Sequence, residues 1–348
     1  MKAAVWHAKK DIRVENVDEP VVEAGSVKIK VEQAGICGSD MHEYVAGPIM
    51  IPTETAHPLT KGTAPVIMGH EFAGEVVEVG EGVRHVNVGD RVTIEPMILC
   101  GECKACREGR YNLCAVIGCF GMSGVGGGFS EFTVVPENMV HKIPDHMSYE
   151  LAALVEPTAV AFYAVEQSRL KVGGTAAVFG AGPIGLLTAQ VCFLAGAEKV
   201  FVMELAEERR KVAEQIGAIA INPAEVNVSE EIMKQTDGGV DVSFEATGVP
   251  VVLQQAIDST KMSGQIIIES LWESNPTIDA NSVVFKDLHI AGSIGYRNVF
   301  PTVIQLIADG KLDVTKMITK KIALDDIVTE GFESLLQEKS QVKILIKP

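Results

Sequence analysis

The first third of the chain alternates short apolar runs with glycine and proline. Partial period-two alternation of apolar and polar positions is the pattern of half-buried β-strands. It predicts strands over 2–6, 12–16, 26–34 and 72–79, a turn leading into a strand at 88–92, and a strand over 128–135 that ends at Pro136. Many short strands with turn residues between them predict a compact β-barrel-like domain.

The pattern changes near residue 148. Ser148 is predicted to cap a short helix, and Pro157 to interrupt the chain before helix resumes over 159–167. Strands and helices then alternate, with strands at 175–179, 199–204, 240–245, 265–268 and 288–291 and helices at 183–195 and 206–216. This alternation predicts a parallel, doubly wound α/β sheet. The last fifty residues return to mixed short elements and end in a strand at 342–346.

One segment fits neither pattern. Residues 46–65 contain Pro48, Pro52, Pro58 and Pro65 and show little periodicity, so they are predicted to form a long ordered loop. A loop of this length in a compact domain is usually functional or mobile.

Length, charge and cysteine content restrict the possible classes. A chain of 348 residues is too long for one core and indicates two domains. A net charge of −16 argues against nucleic acid and anionic membranes as partners. No apolar run reaches the roughly 18 residues of a membrane span, and we see no signal peptide. Seven cysteines, an odd number, fit poorly with a disulfide framework, and we expect a reducing cytoplasm.

Four of the cysteines lie within fifteen residues. Cys100, Cys103, Cys106 and Cys114 have the close spacing of metal ligands, and four thiolates can complete a tetrahedral shell around zinc. The alternative is a coincidental cysteine cluster in a loop. A site with four protein ligands has no open position, so the predicted role is structural.

A glycine-rich segment joins a predicted strand to a predicted helix. Gly180, Gly182, Pro183, Ile184 and Gly185 form the dinucleotide fingerprint, in which the backbone approaches a pyrophosphate at the helix N-terminus.

Glu204 ends the next predicted strand, where a carboxylate can accept hydrogen bonds from both adenosine ribose hydroxyls and so favours NAD. Arg209 and Arg210 follow closely and complicate the choice between NAD and NADP. The alternative is a helix-start glycine cluster with a surface glutamate.

A second set of candidate ligands is dispersed along the chain. Cys37, His70, Glu71 and Glu156 offer a thiolate, an imidazole and carboxylates, which suit a catalytic zinc with one open position. Taken singly, each residue type is more often structural. Cys192 is predicted to lie in the core and Cys119 is left open with core packing favoured, while His57 in the long loop is a candidate to face substrate.

These motifs together resemble the zinc-containing medium-chain dehydrogenase family over essentially the whole chain. The resemblance implies a GroES-like catalytic domain, 1–155 and 295–348, with a Rossmann NAD-binding domain, 156–294, inserted between its halves. Two features are most similar to the polyol branch of this family. One is Glu156, at the position where classical alcohol dehydrogenases have a second zinc cysteine, and the other is the loop 47–59.

The resemblance also implies site roles and two zinc ions per chain. The catalytic zinc is bound by Cys37 and His70, with Glu71 or Glu156 completing the shell. Ser39 and His42 match the proton-relay positions of the family, and a carboxylate in place of a thiolate favours oxygen-rich ligands.

The implied activity is oxidation of a small secondary alcohol or vicinal diol with NAD, foremost (R,R)- or meso-2,3-butanediol and acetoin. The alternatives are a sorbitol, threonine or other polyol dehydrogenase on the same scaffold, or a redox-silent protein that binds nucleotide and zinc. A homodimer or homotetramer is implied, joined through the predicted strand at 288–293. The direction of the reaction is left open.

Overall fold

The protein is described from a computed structural model that covers all residues, 1–348. The chain divides into two compact units. Unit 1 comprises Met1–Glu156, Phe300–Gly310 and Ile318–Pro348, and unit 2 comprises Pro157–Val299 and Lys311–Met317. Both ends of the chain therefore lie in unit 1. Among the helices, none combines the length and apolar character that spanning a bilayer requires.

The elements follow one another in mixed order along the chain. The strands are β1 (Lys2–Ala8), β2 (Asp11–Asn16), β3 (Ser26–Gly35), β4 (Val66–Ile67), β5 (Glu71–Val79), β6 (Arg91–Ile94), β7 (Met97–Ile98), β8 (Gly118–Cys119), β9 (Phe132–Pro136), β10 (Val140–Lys142), β11 (Thr175–Phe179), β12 (Lys199–Met203), β13 (Ile219–Ile221), β14 (Val240–Glu245), β15 (Thr260–Ile268), β16 (His289–Gly292), β17 (Ile318–Ala323) and β18 (Lys343–Lys347).

The helices are α1 (Gly38–Ala46), α2 (Lys104–Arg107), α3 (Tyr149–Ala152), α4 (Val155–Glu166), α5 (Pro183–Leu194), α6 (Glu207–Gln215), α7 (Val228–Gln235), α8 (Pro250–Ser259), α9 (Ala280–Phe285), α10 (Phe300–Ala308) and α11 (Ser334–Gln337). Short 3-10 turns lie at Tyr111–Leu113, Glu137–Met139, Val314–Met317 and Leu324–Asp326, and a π-helical turn lies at Ile327–Glu333.

Unit 1 is built from β-strands, which confirms the β-rich prediction. Its main sheet has the order β10-β6-β5-β3-β18-β17, with β9 also paired to β3, and a smaller sheet has the order β2-β1-β4. In β3, Val27, Ile29 and Val31 are buried in the core of this unit and Lys30 is exposed, as the period-two pattern predicts, although Lys28 on the Lys30 face is also buried.

The register of the main sheet positions one candidate ligand. Gly35, at the end of β3, lies opposite Glu71 of β5 on one side and Leu345 of β18 on the other. A Cβ atom on Gly35 would overlap the Glu71 carboxylate, so the glycine provides the space that this side chain occupies.

Unit 2 contains a six-stranded parallel sheet of order β13-β12-β11-β14-β15-β16, packed on its own apolar core. The strand order reverses between β11 and β14, so the predicted doubly wound arrangement is confirmed. Ligands bind such sheets at the carboxyl ends of the strands near this reversal, where β11 leads into Gly180 and β12 into Glu204.

Two local predictions were wrong. Pro157 does not interrupt the chain, because it is the third residue of the continuous helix α4, and the first turn of a helix needs no backbone donor there. The predicted strand over 128–135 begins only at Phe132. Gly127 and Gly128 pack so closely on Met68 and Phe72 that this segment follows an irregular path instead.

Candidate active site and metal centres

The first candidate ligand, Cys37, is the N-cap residue of α1. Asp40, three residues later, accepts a hydrogen bond from the Cys37 backbone N–H at 2.9 Å through Oδ2, which fixes the start of the helix. The side chain of Asp40 is completely buried.

His70 has a polar neighbour at each nitrogen of its ring. The preceding Gly69 has φ of +96° and packs against the ring of Phe129. A side chain at this position would be strained in this backbone conformation and would overlap the ring. Nδ1 of His70 lies 3.4 Å from Oδ1 of Asp40, and Nε2 lies 3.2 Å from the Ser39 hydroxyl. A carboxylate facing Nδ1 leaves Nε2 as the atom available to a metal.

Glu71 lies beside a buried lysine. Nζ of Lys343 donates to both carboxylate oxygens of Glu71, at 2.7 and 2.6 Å, and to the backbone oxygen of Ile36 at 2.9 Å. Both side chains are enclosed, with exposures of 1% and 0%. The ion pair therefore compensates a carboxylate charge that would otherwise be costly at this depth.

Cys37, His70 and Glu71 form one cluster, with their ligand atoms within 4.8 Å of one another. Burial lowers the pKa of His70, but Asp40 and the neighbouring thiols raise it by more, so the pKa lies well above its ordinary value. The local field therefore favours a positive charge. Thiolate, imidazole and carboxylate are also the donor set of catalytic zinc sites, so these residues fit the metal that the sequence predicts.

Glu156 is not part of this cluster, although it is buried in the first turn of α4, with 7% exposure. It is close enough to raise the pKa values of both Cys119 and Lys343. The choice between Glu71 and Glu156 as third ligand thus stays open.

The two predicted relay residues lie on α1. Ser39 contacts the imidazole of His70. His42 follows three residues later on the same helix, a spacing that places the two side chains on neighbouring positions of the helix surface.

The second metal centre is formed by Cys100, Cys103, Cys106 and Cys114, whose sulfur atoms lie within 4.8 Å of one another. The Sγ–Sγ distances are 3.9 Å from Cys100 to Cys106 and 3.5 Å from Cys100 to Cys114. Zn–S bonds of about 2.3 Å in a tetrahedron require sulfur atoms about 3.8 Å apart, so the arrangement fits zinc.

The electrostatics of these thiols agree with the geometry. Backbone N–H groups of Ala115 and Cys106 lower the pKa of Cys103 to about 6, whereas desolvation and the neighbouring thiols raise that of Cys106 to about 12. Holding all four as thiolates requires a cation between them.

The glycine-rich segment has the geometry of a dinucleotide site. Gly180 has φ of +104°, Gly182 is the N-cap of α5, and Pro183 occupies the first turn of that helix. Ile184 follows Pro183 in that first turn. A Cβ on Gly185 would overlap the backbone of Gly180, so its absence allows the helix to approach the strand closely.

Glu204 lies next to this segment. Its carboxylate accepts hydrogen bonds from the backbone N–H of Ala181 at 3.0 Å and of Ala206 at 2.9 Å. Nη1 of Arg209 lies 3.9 Å from Oε2 of Glu204. The carboxylate is thus directed towards the fingerprint backbone, with a guanidinium beside it.

The remaining candidates have varied environments. Cys192 is completely buried in α5, as predicted. Cys119 packs at the edge of the unit 1 core, and burial raises its pKa to about 12, while His70 lowers it. His57 holds a local turn, accepting from the N–H groups of Leu59 and Thr60 and contacting the Ile117 oxygen.

Sequence reasoning missed Asp40 and Lys343. Asp40 lies at the third position after a helix N-cap, the spacing of a capping box, and this signal was available. Lys343 lies among Val342, Ile344 and Leu345 in an otherwise apolar strand, and a lysine there is unusual enough to indicate a buried partner.

Comparison with known proteins is consistent with this geometry. Residues 23–145 match the model of the alcohol dehydrogenase GroES-like domain, and residues 183–309 match that of the zinc-binding dehydrogenase domain. The β-rich fold of unit 1 is therefore GroES-like, and the parallel sheet of unit 2 is Rossmann-like.

Relatives match along the full chain. An (R,R)-butanediol dehydrogenase of Bacillus subtilis is 54% identical over 349 residues, covering 100% of both chains. A sorbitol dehydrogenase of the same species is 36% identical, covering 100% of this chain and 97% of the relative. The crystal structure of 2R,3R-butanediol dehydrogenase from Bacillus subtilis superimposes with a TM-score of 0.95 at 54% identity, covering 100% and 99%. The chain belongs to the zinc-binding medium-chain alcohol dehydrogenase family, and it is an oxidoreductase.

Proposed function

We propose that the protein is a zinc-dependent, NAD-linked dehydrogenase that interconverts 2,3-butanediol and acetoin. The observation that carries this proposal is the buried cluster of Cys37, His70 and Glu71 in a chain 54% identical, end to end, to an (R,R)-butanediol dehydrogenase. We assign the catalytic domain to 1–155 and 295–348 and the nucleotide domain to 156–294, whereas residues 295–299 and 311–317 pack with unit 2.

Two zinc ions are assigned to each chain. Cys37 and His70, with Glu71 or Glu156, would hold the catalytic ion, and the four cysteines from Cys100 to Cys114 would hold the structural one. When bound at the open site, zinc supplies a Lewis acid that favours the ionised form of an alcohol. Asp40 keeps the His70 imidazole oriented, and Lys343 keeps the Glu71 carboxylate in place.

Residues of this chain provide a route for the proton that the alcohol loses. Oxidation of an alcohol removes a hydride from carbon and a proton from oxygen, and a site that excludes water needs a route for that proton. The Ser39 hydroxyl, beside the predicted ligand His70, is placed to accept this proton while it donates its own proton onward. His42, on the same helix, is the next acceptor, since imidazole exchanges protons readily near neutral pH.

NAD is preferred over NADP in this proposal. The Glu204 carboxylate points at the fingerprint backbone, where it would accept from ribose hydroxyls and repel a 2′-phosphate. Arg209, 3.9 Å away, offsets part of that repulsion, so we expect a preference rather than an absolute restriction.

The atoms that would bind the zinc also indicate which class of alcohol the site accepts. A zinc site that includes a carboxylate suits oxygen-rich ligands, so the second hydroxyl of a vicinal diol is a natural partner. A pocket that binds both hydroxyls rejects an analogue that lacks one, because its own polar groups stay unpaired. A sorbitol or threonine dehydrogenase on the same scaffold is the second candidate, supported by the 36% identity to a sorbitol dehydrogenase.

A homodimer or homotetramer is proposed through the sheet of unit 2. Strand β16 is an edge strand that pairs only with β15, so its outer hydrogen-bonding groups are available to a second copy. Apolar side chains on and near it are exposed, namely Phe285, Ile290 and Ile294 at 79%, 37% and 53%.

We place the enzyme in the cytoplasm, where reducing conditions preserve thiolate ligands.

The proposal is tested by NADH formation with 2,3-butanediol, measured together with zinc content. We expect activity in the wild type and almost none in Cys37→Ser, which should remain folded. Cys192→Ser, a buried thiol remote from the ligand set in sequence, is the matched control and should keep its activity. A fully active Cys37→Ser protein would refute the catalytic assignment.

A further inference from the structure

A buried carboxylate lies in the second half of α1, outside the metal cluster. Glu43 is 0% exposed. Its oxygens accept hydrogen bonds from three successive backbone N–H groups, those of Ile49 at 3.0 Å, Met50, and Ile51 at 3.2 Å. Three converging N–H dipoles compensate a buried negative charge, so this carboxylate acts as a clamp on the start of the long loop.

The clamp requires a close return of the chain. A Cβ on Gly47 would overlap the backbone and the carboxylate of Glu43, so only glycine lets the loop fold back at this point. The indole Nε1 of Trp6 donates to the Glu43 backbone oxygen at 3.2 Å, which ties the end of the helix to β1. The position of Glu43 is therefore fixed independently of the loop.

The far part of the loop is fixed as well. The Thr60 hydroxyl donates to the Ser123 backbone oxygen at 2.5 Å, and Gly62 packs directly on Gly124. The segment 118–124 packs in turn on Gly69, the neighbour of His70, through Gly121. Both ends of the loop are thus anchored to elements that carry or contact the metal cluster.

The clamp determines which side chains the loop presents. Ile51 is 3% exposed and belongs to the unit 1 core, whereas Ile49 and Met50 are 56% and 41% exposed. Glu43 lies six residues after Cys37, about 9 Å along the axis of the same short helix. The clamp therefore fixes the apolar pair relative to the helix that begins at the candidate ligand Cys37.

We propose that Glu43 is a positioning residue for substrate selection, holding residues 47–51 so that Ile49 and Met50 form an apolar wall of the alcohol-binding space. This inference rests on the proposed function, since the wall is assigned to a small-diol dehydrogenase. A rigid wall excludes bulky secondary alcohols because they would overlap it. A loop that has lost its clamp can move aside and admit them.

The test compares Glu43→Gln with Glu54→Gln, which removes the same charge from an exposed position of the same loop. Hydrogen exchange of the backbone amides of residues 49–51 should accelerate about 10-fold or more in Glu43→Gln only, because a neutral amide oxygen replaces the charged acceptor. The ratio of kcat/KM for 2,3-butanediol over 3,4-hexanediol should fall about 10-fold. The fall should result from changes in KM for the alcohols. The KM for NAD should be unchanged, and so should the zinc content.

Accelerated exchange with an unchanged selectivity ratio would show that Glu43 stabilises the loop without selecting substrate, and would overturn the proposal. If Glu43→Gln fails to fold, the test uses Met50→Ala, which keeps the clamp. This variant should also lower the selectivity ratio. An unaltered ratio in Met50→Ala would likewise overturn the proposal. A wild type inactive on all diols refutes the proposed function instead, and the selectivity ratio is then taken between 2-propanol and 3-hexanol.

Discussion

Replacing Glu269 with glutamine should stabilise the protein at alkaline pH. Glu269 follows β15, and its Oε2 accepts a hydrogen bond from the Thr188 hydroxyl at 3.0 Å, while its Oε1 is buried without a partner. Burial, opposed by the Thr188 hydrogen bond and reinforced by the nearby Glu245, raises the pKa of Glu269 to about 8. Glutamine keeps the acceptor for Thr188 but has no charge to bury.

The size of the effect follows from the difference between the folded pKa and the ordinary value. A carboxyl with a raised pKa retains its proton in the folded state while the unfolded state has already released it. Stability is therefore lost as pH rises from about 4.5 to about 8, and it levels off above that window. A difference of about 3.5 pH units at 1.36 kcal/mol each gives an upper bound of about 5 kcal/mol.

The assay is thermal unfolding of the wild type and Glu269→Gln between pH 5 and pH 9, with Glu198→Gln as an exposed control in the same unit. A gain of only about 2 kcal/mol would raise Tm by about 4–8 °C for a unit of this size. The gain should be near zero at pH 5 and largest above pH 8. A gain that does not vary with pH, or a loss of stability at pH 8.5, would contradict the reasoning.

Three further outcomes are expected. Cys103→Ser should lose one zinc per chain and some thermal stability, as metal analysis and a melting curve would show, because three thiolates do not complete the closed shell. Replacing Glu204 with alanine should raise kcat/KM for NADP relative to NAD, and equal values for both cofactors in the wild type would contradict the role assigned to Glu204. Lys343→Met should cost about 3–5 kcal/mol in denaturant unfolding by leaving the buried Glu71 unpaired, and an unchanged midpoint would mean that this pair is not formed.

Local spacing made much of the fold and site predictable. The cysteine cluster lies within fifteen residues, and the glycine fingerprint lies within six, so their geometry follows from the adjacent sequence. The helices α7 and α8 were missed although signals were present. Asn227 caps α7 by accepting from the Glu230 backbone, and Pro250 begins α8.

What escaped prediction depends on partners remote in sequence. Lys343 meets Glu71 only because β18 and β5 flank the same end of β3, a pairing that strand register decides. Pro157 was misread for a related reason, since proline breaks a helix interior but is tolerated in the first turn. Whether α4 had already begun at Val155 depends on the packing of that segment in the folded chain.

The central claim is tested most directly by kcat/KM with NAD across the three stereoisomers of 2,3-butanediol, 2-butanol and sorbitol. We expect the (R,R) and meso isomers to be the best substrates and 2-butanol to be much poorer, because it leaves the partners of the second hydroxyl unpaired. Sorbitol exceeding every butanediol would move the protein to the sugar-alcohol branch, and a preference for the (S,S) isomer would contradict the stereochemical assignment.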